Sequence, residues 1–286
     1  MNDTRKGMMA VHSAVFLFGM TALFSKLIHL TALEITLLRS VFAVLALWLV
    51  MRYQGLAVKL NSRRDYAVAG LLGILLACHW VTYFHAMQVS SVVVGVIALF
   101  TFPVITVFLE PLFHGGRPRL TDILSALAVL FGIYLLVPSF SLDNHATLGV
   151  LWGVFSALLF SLRNIIQVRY FSSYPAKQAL LYQIAVTFLL LLPFGAQTIP
   201  QVNHVQWVQL LVLGVVFTAL PHTLFAFGLR YFKAKTASLI ACLQVVYAAL
   251  FAGVILGEWP SLTTVLGGLI VVVAAMFETY STGRRV

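Results

Sequence analysis

Charge is what this sequence has least of. Only 9% of its 286 residues are charged, where soluble domains carry about a quarter, and 61% are hydrophobic, with a mean hydropathy of +1.00. A water-facing surface cannot be built from so few charges, so a soluble globular fold is excluded and lipid is the solvent for most side chains. Acidic residues are rarer still, eight against eighteen basic ones, and no two carboxylates fall together inside an apolar run. The usual sequence sign of sodium or strong proton coupling is therefore missing. The two cysteines, Cys78 and Cys242, form no CxxC or metal-spaced set and read as plain buried residues. HExxH, GxSxG, P-loop and dinucleotide glycine patterns are absent, so nothing points to an enzyme, a catalytic residue or a cofactor. A channel is the other class to weigh, and it would declare itself by charge rings or an oligomeric filter.

What is present is apolar length. Ten segments, 8–28, 33–51, 66–87, 91–113, 120–138, 147–168, 177–197, 206–229, 236–257 and 261–280, approach the roughly 20 residues that cross a hydrocarbon core of about 30 Å as a helix. The breaks between them are short and polar, as in VKLNSRRD (58–65) and SFSLDNHA (139–146). The first segment follows Arg5 and Lys6, but it runs long and lacks a small-residue cleavage pattern, so it reads as a retained span. With sides alternated from the N-terminus, fifteen of the eighteen basic residues fall on one side. The connections near 30, 89, 142, 202 and 259 hold none. The positive-inside rule then puts both termini in the cytoplasm, and the net charge of +10 is a topology signal and not a nucleic-acid surface.

One frame occurs twice. Residues 112–121 read LFHGGRPRLT and residues 254–263 read VILGEWPSLT. Gly115, Pro118, Leu120 and Thr121 are answered 142 positions later by Gly257, Pro260, Leu262 and Thr263, while Arg117 and Arg119 give way to Trp259 and Ser261. Five segments per half is an odd number, so the second half enters the membrane upside down, and a basic frame on one side becomes a frame without basic residues on the other. The expected fold is an all-α integral membrane protein of ten transmembrane helices, arranged as two inverted five-helix repeats over 1–142 and 143–286. Inverted repeats place a substrate site near the bilayer midplane between the halves. A transporter is the class this implies, with a small-molecule substrate and the lipid bilayer as partners, no nucleic acid, and a monomer as the expected unit.

The ten-helix inverted pattern, the Gly257–Glu258 pair with a proline two residues on, Arg39 in the second segment and the chain length together resemble the drug/metabolite transporter superfamily, in its EamA-type exporter branch. Within that branch the overall texture is most similar to YddG-type exporters of aromatic and other neutral amino acids. The resemblance implies an exporter of the bacterial inner membrane that works by alternating access. Other small amphipathic metabolites or drugs are the alternative substrates, with proton antiport as the alternative to uniport. The first repeat departs from the family's Gly-Glu signature, because Gly116 stands where the glutamate is usual.

Ionisable residues inside a span are costly, about 2.5–3.5 kcal/mol for arginine at a helix centre, and mark function by default. Arg163 lies deepest, in a stripe with Ser156, Phe160 and Gln167 at helical spacing. It reads either as a carboxylate clamp, through the bidentate fork of its guanidinium, or as a structural partner of Glu110 or a snorkelling chain. Arg39 and Glu34 sit nearer the outer surface and are expected to orient the second helix by pairing there. Glu110, the one acidic residue well inside a span, is a proton carrier if burial raises its pKa, but pairing with a basic residue near the cytoplasmic end is preferred. His79, Thr82 and Tyr83 form one polar face of the third segment, and His222 follows Pro221, whose kink frees backbone carbonyls. No third ligand stands at helical spacing from either histidine, so no metal site is expected. Gln183, Gln244 and Tyr247 complete a candidate substrate-binding set of His79, Tyr83, Arg163, Gln183, His222, Gln244 and Tyr247. For the polar members of the seventh and ninth segments interhelical hydrogen bonding is the plain alternative. Such a site suits a zwitterionic amino acid, its carboxylate on Arg163 or a helix N-terminus, its ammonium on carbonyls or an aromatic face, and its side chain among phenylalanines.

Overall fold

The computed structural model describes residues 3–115, 119–137, 141–229, 231 and 234–282. Among the described residues every regular element is a helix. The first span is α1 (Asp3–Thr21) with the short α2 (Phe24–Leu27), followed by α3 (Ala32–Tyr53) and α4 (Arg63–Val89). Next come α5 (Val92–Leu99) with α6 (Phe102–His114), then α7 (Leu120–Leu136), α8 (His145–Phe171) and α9 (Ala176–Gly195). α10 (His204–Gly214) and α11 (Leu220–Gly228) are joined by a π-helical turn at Val215–Ala219. α12 (Ala234–Ala241), α13 (Leu243–Phe251), a second π-helical turn (Ala252–Leu256) and α14 (Leu262–Thr282) complete the chain. Nine spans among the described residues are long and apolar enough to cross a membrane, and α7 is a shorter apolar helix of 17 residues, at the lower end of the spanning range of about 17–25. Large side chains such as Leu45, Leu49, Leu130, Leu189 and Val254 face outward, as a lipid solvent allows.

The short polar links supply the helix caps that an apolar surround makes obligatory. Thr31 with Glu34, and Asn203 with Gln206, close reciprocal capping boxes at the starts of α3 and α10. Ser62 and Asn144 cap α4 and α8. The glycines of the repeated frame have a shared physical reason. Gly115 and Gly257 each end a helical stretch at positive φ, 76° and 70°, where glycine carries no Cβ penalty. Each donates its N–H to the carbonyl four residues back, Pro111 at 2.8 Å and Gly253 at 3.2 Å. Positions 116–118 of the first copy, and the basic residues Arg230, Lys233, Arg284 and Arg285 used in the charge count, lie outside the described residues.

Two spans are broken at corresponding points. α5 ends at Leu99 and α12 at Ala241, the frame's own offset apart, and the chain turns through Phe100–Thr101 and through Cys242 before α6 and α13 resume. The bundle packs α4 on α8 and α9, α3 on α9, α1 on α11 and α13, α5 and α6 on α8, and α7 on α14. The last crossing is close: a Cβ on Gly267 would stand 2.5 Å from the Gly132 carbonyl oxygen. The largest apolar core joins Ile35, Leu37, Phe84, Ile97, Leu213 and Val271 and surrounds the cavity described next.

Candidate substrate site

Where α1, α3, α4, α8 and the α10–α11 turn converge, the bundle encloses a cavity of about 130 Å³. Leu99, at the end of α5, and Gln244, just past the break before α13, also line it. One wall is aromatic, made by Phe18, Trp80, Tyr83, Phe84, Phe160 and Phe217, and the polar groups are Thr21, Arg39, His79, Arg163, Thr218, His222 and Gln244. Interruption of spanning helices is tolerated where the backbone lines protein or a cavity, and the broken helices and the first π turn all meet this one.

Its charge is one-sided. The Arg163 Nε donates to Gln183 Oε1 at 2.8 Å and Nη1 to Asn164 Oδ1 at 2.9 Å, while Gln183 in turn donates to Gln167 Oε1 at 3.1 Å. The alternative in which Arg163 pairs with Glu110 is not seen among the described residues: Glu110 is half-buried on α6, away from the cavity. Arg39 overturns its expectation as well. It does not pair with Glu34, whose carboxylate accepts from Thr31 and Thr198. Instead it is 2% exposed, with its guanidinium carbon 4.1 Å from the Trp80 ring centre and 4.6 Å from that of Phe84. Its Nη1 reaches Thr218 Oγ1 at 3.5 Å, and Nε and Nη2 have no hydrogen-bond partner. Among the described residues no carboxylate forms an ion pair with either guanidinium. An ion taken out of water costs several kcal/mol unless paired, so two such cations facing one cavity mark it as a place for anionic groups. Glu110 is not the most buried acid either: Asp122 on α7 and Glu278 on α14 are each 1% exposed, at the ends of the two helices that cross at Gly132.

The histidines are fixed by their partners. Ser156 Oγ donates to the His79 carbonyl at 2.9 Å and so accepts from His79 Nδ1 at 2.8 Å. In its neutral form the ring carries its proton on Nδ1 and keeps Nε2 as an acceptor. His222 Nδ1 donates to the Thr218 carbonyl at 2.7 Å, with the same result. Phe160 stacks on His79 at 4.8 Å and Phe18 meets His222 edge-on at 4.8 Å. Pro221 lacks the N–H that would bond the Phe217 carbonyl, and Thr21 Oγ1 of α1 supplies a donor shared between that carbonyl and the Leu17 carbonyl, each at 2.9 Å.

Of the residues expected at the site, His79, Tyr83, Arg163, His222 and Gln244 line the cavity, and Gln183 stands behind Arg163. Tyr247 lies elsewhere, beside Gly19 and edge-on to Phe16 at 5.4 Å. The Thr82 hydroxyl is spent on the Cys78 and His79 carbonyls. Sequence reasoning missed Phe18, Thr21, Phe217 and Thr218, and misplaced Arg39. One signal would have found most of these. The lining contains four pairs 142 positions apart, Phe18 with Phe160, Thr21 with Arg163, Leu76 with Thr218, and Trp80 with His222, and the last two rings meet edge-on at 6.3 Å.

At one end of the bundle a polar knot joins α2, the α4–α5 turn and the turn before α14. Lys26 Nζ donates to the carbonyls of Gln88 at 3.1 Å and Ser90 at 2.9 Å and stands 3.9 Å from Glu258 Oε1. Glu258 Oε2 accepts from Val92 N–H at 3.0 Å, at the N-terminus of α5, where the helix dipole favours an anion. Gln88 Nε2 donates to the carbonyls of Ser25 and Leu30.

The helical bundle thus encloses a small cavity lined by aromatic rings and by two guanidiniums that have no carboxylate partner among the described residues. The sequence profile of the EamA-like transporter family matches residues 5–137 and again 147–280, and the chain belongs to that family. It is 25% identical to an uncharacterized transporter of Archaeoglobus fulgidus over 95% of this chain and 96% of that one. It is also 25% identical to the uncharacterized inner membrane transporter YicL of Salmonella typhimurium, over 100% and 99% of the two chains, and 27% identical to the pseudopaline exporter CntI of Pseudomonas aeruginosa, over 86% of each. A solved crystal structure aligns with a TM-score of 0.66 at 17% identity, covering 94% of this chain and 96% of that one, a likeness of fold.

Proposed function

We propose that the chain exports small metabolites of the amino-acid class across the inner membrane by alternating access, with aromatic and other neutral amino acids as the first candidates, as in YddG-type exporters. The observation that carries this reading is the cavity itself, in which Arg163 meets a carboxylate, the histidine Nε2 lone pairs take an ammonium, and the phenyl rings take a side chain. The reading includes ten transmembrane helices in two inverted repeats with both termini in the cytoplasm. The double match to one family profile, the matching breaks at Leu99 and Ala241, and lining pairs 142 apart support it. Such pairing is what a pseudo-two-fold axis through the cavity produces. Export as the direction is supported by the name of the pseudopaline exporter, and the inner membrane by that of YicL. Uniport is preferred to proton antiport through Glu110 or a histidine because no two carboxylates fall together inside an apolar run and Glu110 lies off the cavity. Counterflow of labelled phenylalanine into liposomes holding the purified protein and unlabelled phenylalanine tests the reading. Saturable uptake, blocked by neutral amino acids and indifferent to an imposed pH gradient, is expected, and no counterflow refutes the amino-acid assignment.

A further inference from the structure

We propose that the preferred solute carries two carboxylates and a net negative charge, one carboxylate for each buried guanidinium. This rests on the exporter and amino-acid reading above and shifts its first candidate from neutral to acidic amino acids. A neutral amino acid brings a single carboxylate, which Arg163 accounts for, and an ammonium that adds a third positive charge to a cavity already holding two. Arg39 is then left over. The rings of Trp80 and Phe84 cover the faces of its guanidinium, and face contacts cannot accept the hydrogen bonds of its edge. Those edge donors are specific: Nη1 is turned to Thr218, while Nε and Nη2 are without partners. Nε and Nη2 lie side by side in the guanidinium plane, the fork from which one carboxylate accepts two parallel hydrogen bonds.

Arg163 is set differently. Its Nε edge is occupied by Gln183 and its Nη1 by Asn164, so it presents its far end through Nη2. The cavity lining thus includes one cation with an unpartnered side-on fork, buried in this state, and one end-on cation, with histidine Nε2 atoms as acceptors for an amine. A small dicarboxylic amino acid matches this donor and acceptor set in number and sign. The charge also supplies the driving force. A solute with one net negative charge is expelled by an inside-negative potential, by about 50-fold at equilibrium for each 100 mV. Such a carrier needs no coupling carboxylate among its cavity residues, and none lines this cavity.

The test uses the full chain in liposomes, with labelled glutamate and labelled phenylalanine as probes and a potassium diffusion potential set by valinomycin. Glutamate is expected to be taken up in preference to phenylalanine and to accumulate about 50-fold at 100 mV inside-positive, while phenylalanine does not accumulate. Arg39→Gln is expected to lose glutamate uptake at least about tenfold, the loss of one charge-assisted contact, with a monodisperse elution profile and a thermal unfolding transition in detergent like the parent's showing that the variant is folded. Arg39→Lys, a point charge without the fork, is expected to recover part of the loss. Phenylalanine counterflow with no glutamate uptake, or glutamate uptake untouched by Arg39→Gln, overturns the second carboxylate and leaves the exporter reading standing. Movement of neither probe overturns both.

Discussion

Replacing Arg163 separates a substrate ligand from a structural cation, because the two roles predict opposite balances of stability and transport. Arg163→Met keeps the length and apolar body of the side chain and removes the charge. A guanidinium that paired permanently with a carboxylate would leave a buried anion behind, costing about 3–5 kcal/mol. In this structure its partners are the neutral amides of Gln183 and Asn164, at 2.8 and 2.9 Å. Orphaning those acceptors costs about 1–3 kcal/mol, and removal of an unpaired buried cation returns a comparable amount. The substrate-free protein is therefore expected to keep its stability within about 1–2 kcal/mol, the difference of those two effects. Transport behaves otherwise. A hydrogen bond to a charged group contributes about 1.5–3 kcal/mol, so KM for phenylalanine counterflow rises about 10- to 150-fold. Thermal unfolding in detergent and counterflow over a concentration series read the two quantities on one preparation. An unchanged KM, or a stability loss of the size expected for a broken ion pair, refutes the reasoning.

Three further predictions concern the scaffold. Thr21→Val removes the donor to the Phe217 carbonyl freed by Pro221; it is expected to cost about 0.6–1.7 kcal/mol, the range of interhelical bonds in membranes. That cost should shrink in a Pro221→Ala background, where a backbone N–H is restored, as a double-mutant cycle in thermal unfolding would reveal. Gly267→Leu forces α7 and α14 apart, since its Cβ alone would stand 2.5 Å from the Gly132 oxygen, whereas Gly70→Ala, with open space around it, is neutral or better; their unfolding temperatures should fall and hold respectively. Lys26→Met cuts the knot to Gln88, Ser90 and Glu258. A loss of about 1 kcal/mol, the upper value for an exposed pair, should raise labelling of Leu30→Cys by an impermeant thiol reagent about fivefold, and unchanged labelling would show that these contacts do not hold this end of the bundle closed.

The spans were legible because a hydrocarbon solvent writes itself locally, in runs of apolar residues between short polar links. The turn glycines Gly115 and Gly257 were legible for a similar reason, since positive φ leaves few residue choices. Rotation about a helix axis was not. Arg39 stands two turns inside α3, near enough to the end to suggest a surface pair, but the face it occupies turns toward Trp80 and Phe84 on α4. Tyr247 follows Gln244 at a spacing that suggests one face, yet the close crossing at Gly19 turns it to α1. Trp80 with His222 is legible at the repeat offset, but Leu76 with Thr218 and Thr21 with Arg163 stayed hidden because the partners differ in residue type. A scan for identities passes over positions that share a place and not a chemistry. The break at Cys242 has no proline or glycine to mark it, and shows only beside its counterpart at Phe100–Thr101.

The central claim is that the arginine-lined cavity is the transport site and opens to each side in turn. Its most direct test is a single cysteine at Leu76, a buried lining residue, in a background with Cys78 and Cys242 replaced by alanine. An impermeant thiosulfonate reagent is applied from one side of oriented vesicles and then from the other. The account predicts modification from both sides, protection by substrate from both, and loss of counterflow once modified. Modification from neither side or from one side only, or transport that continues with the cysteine modified, would contradict it.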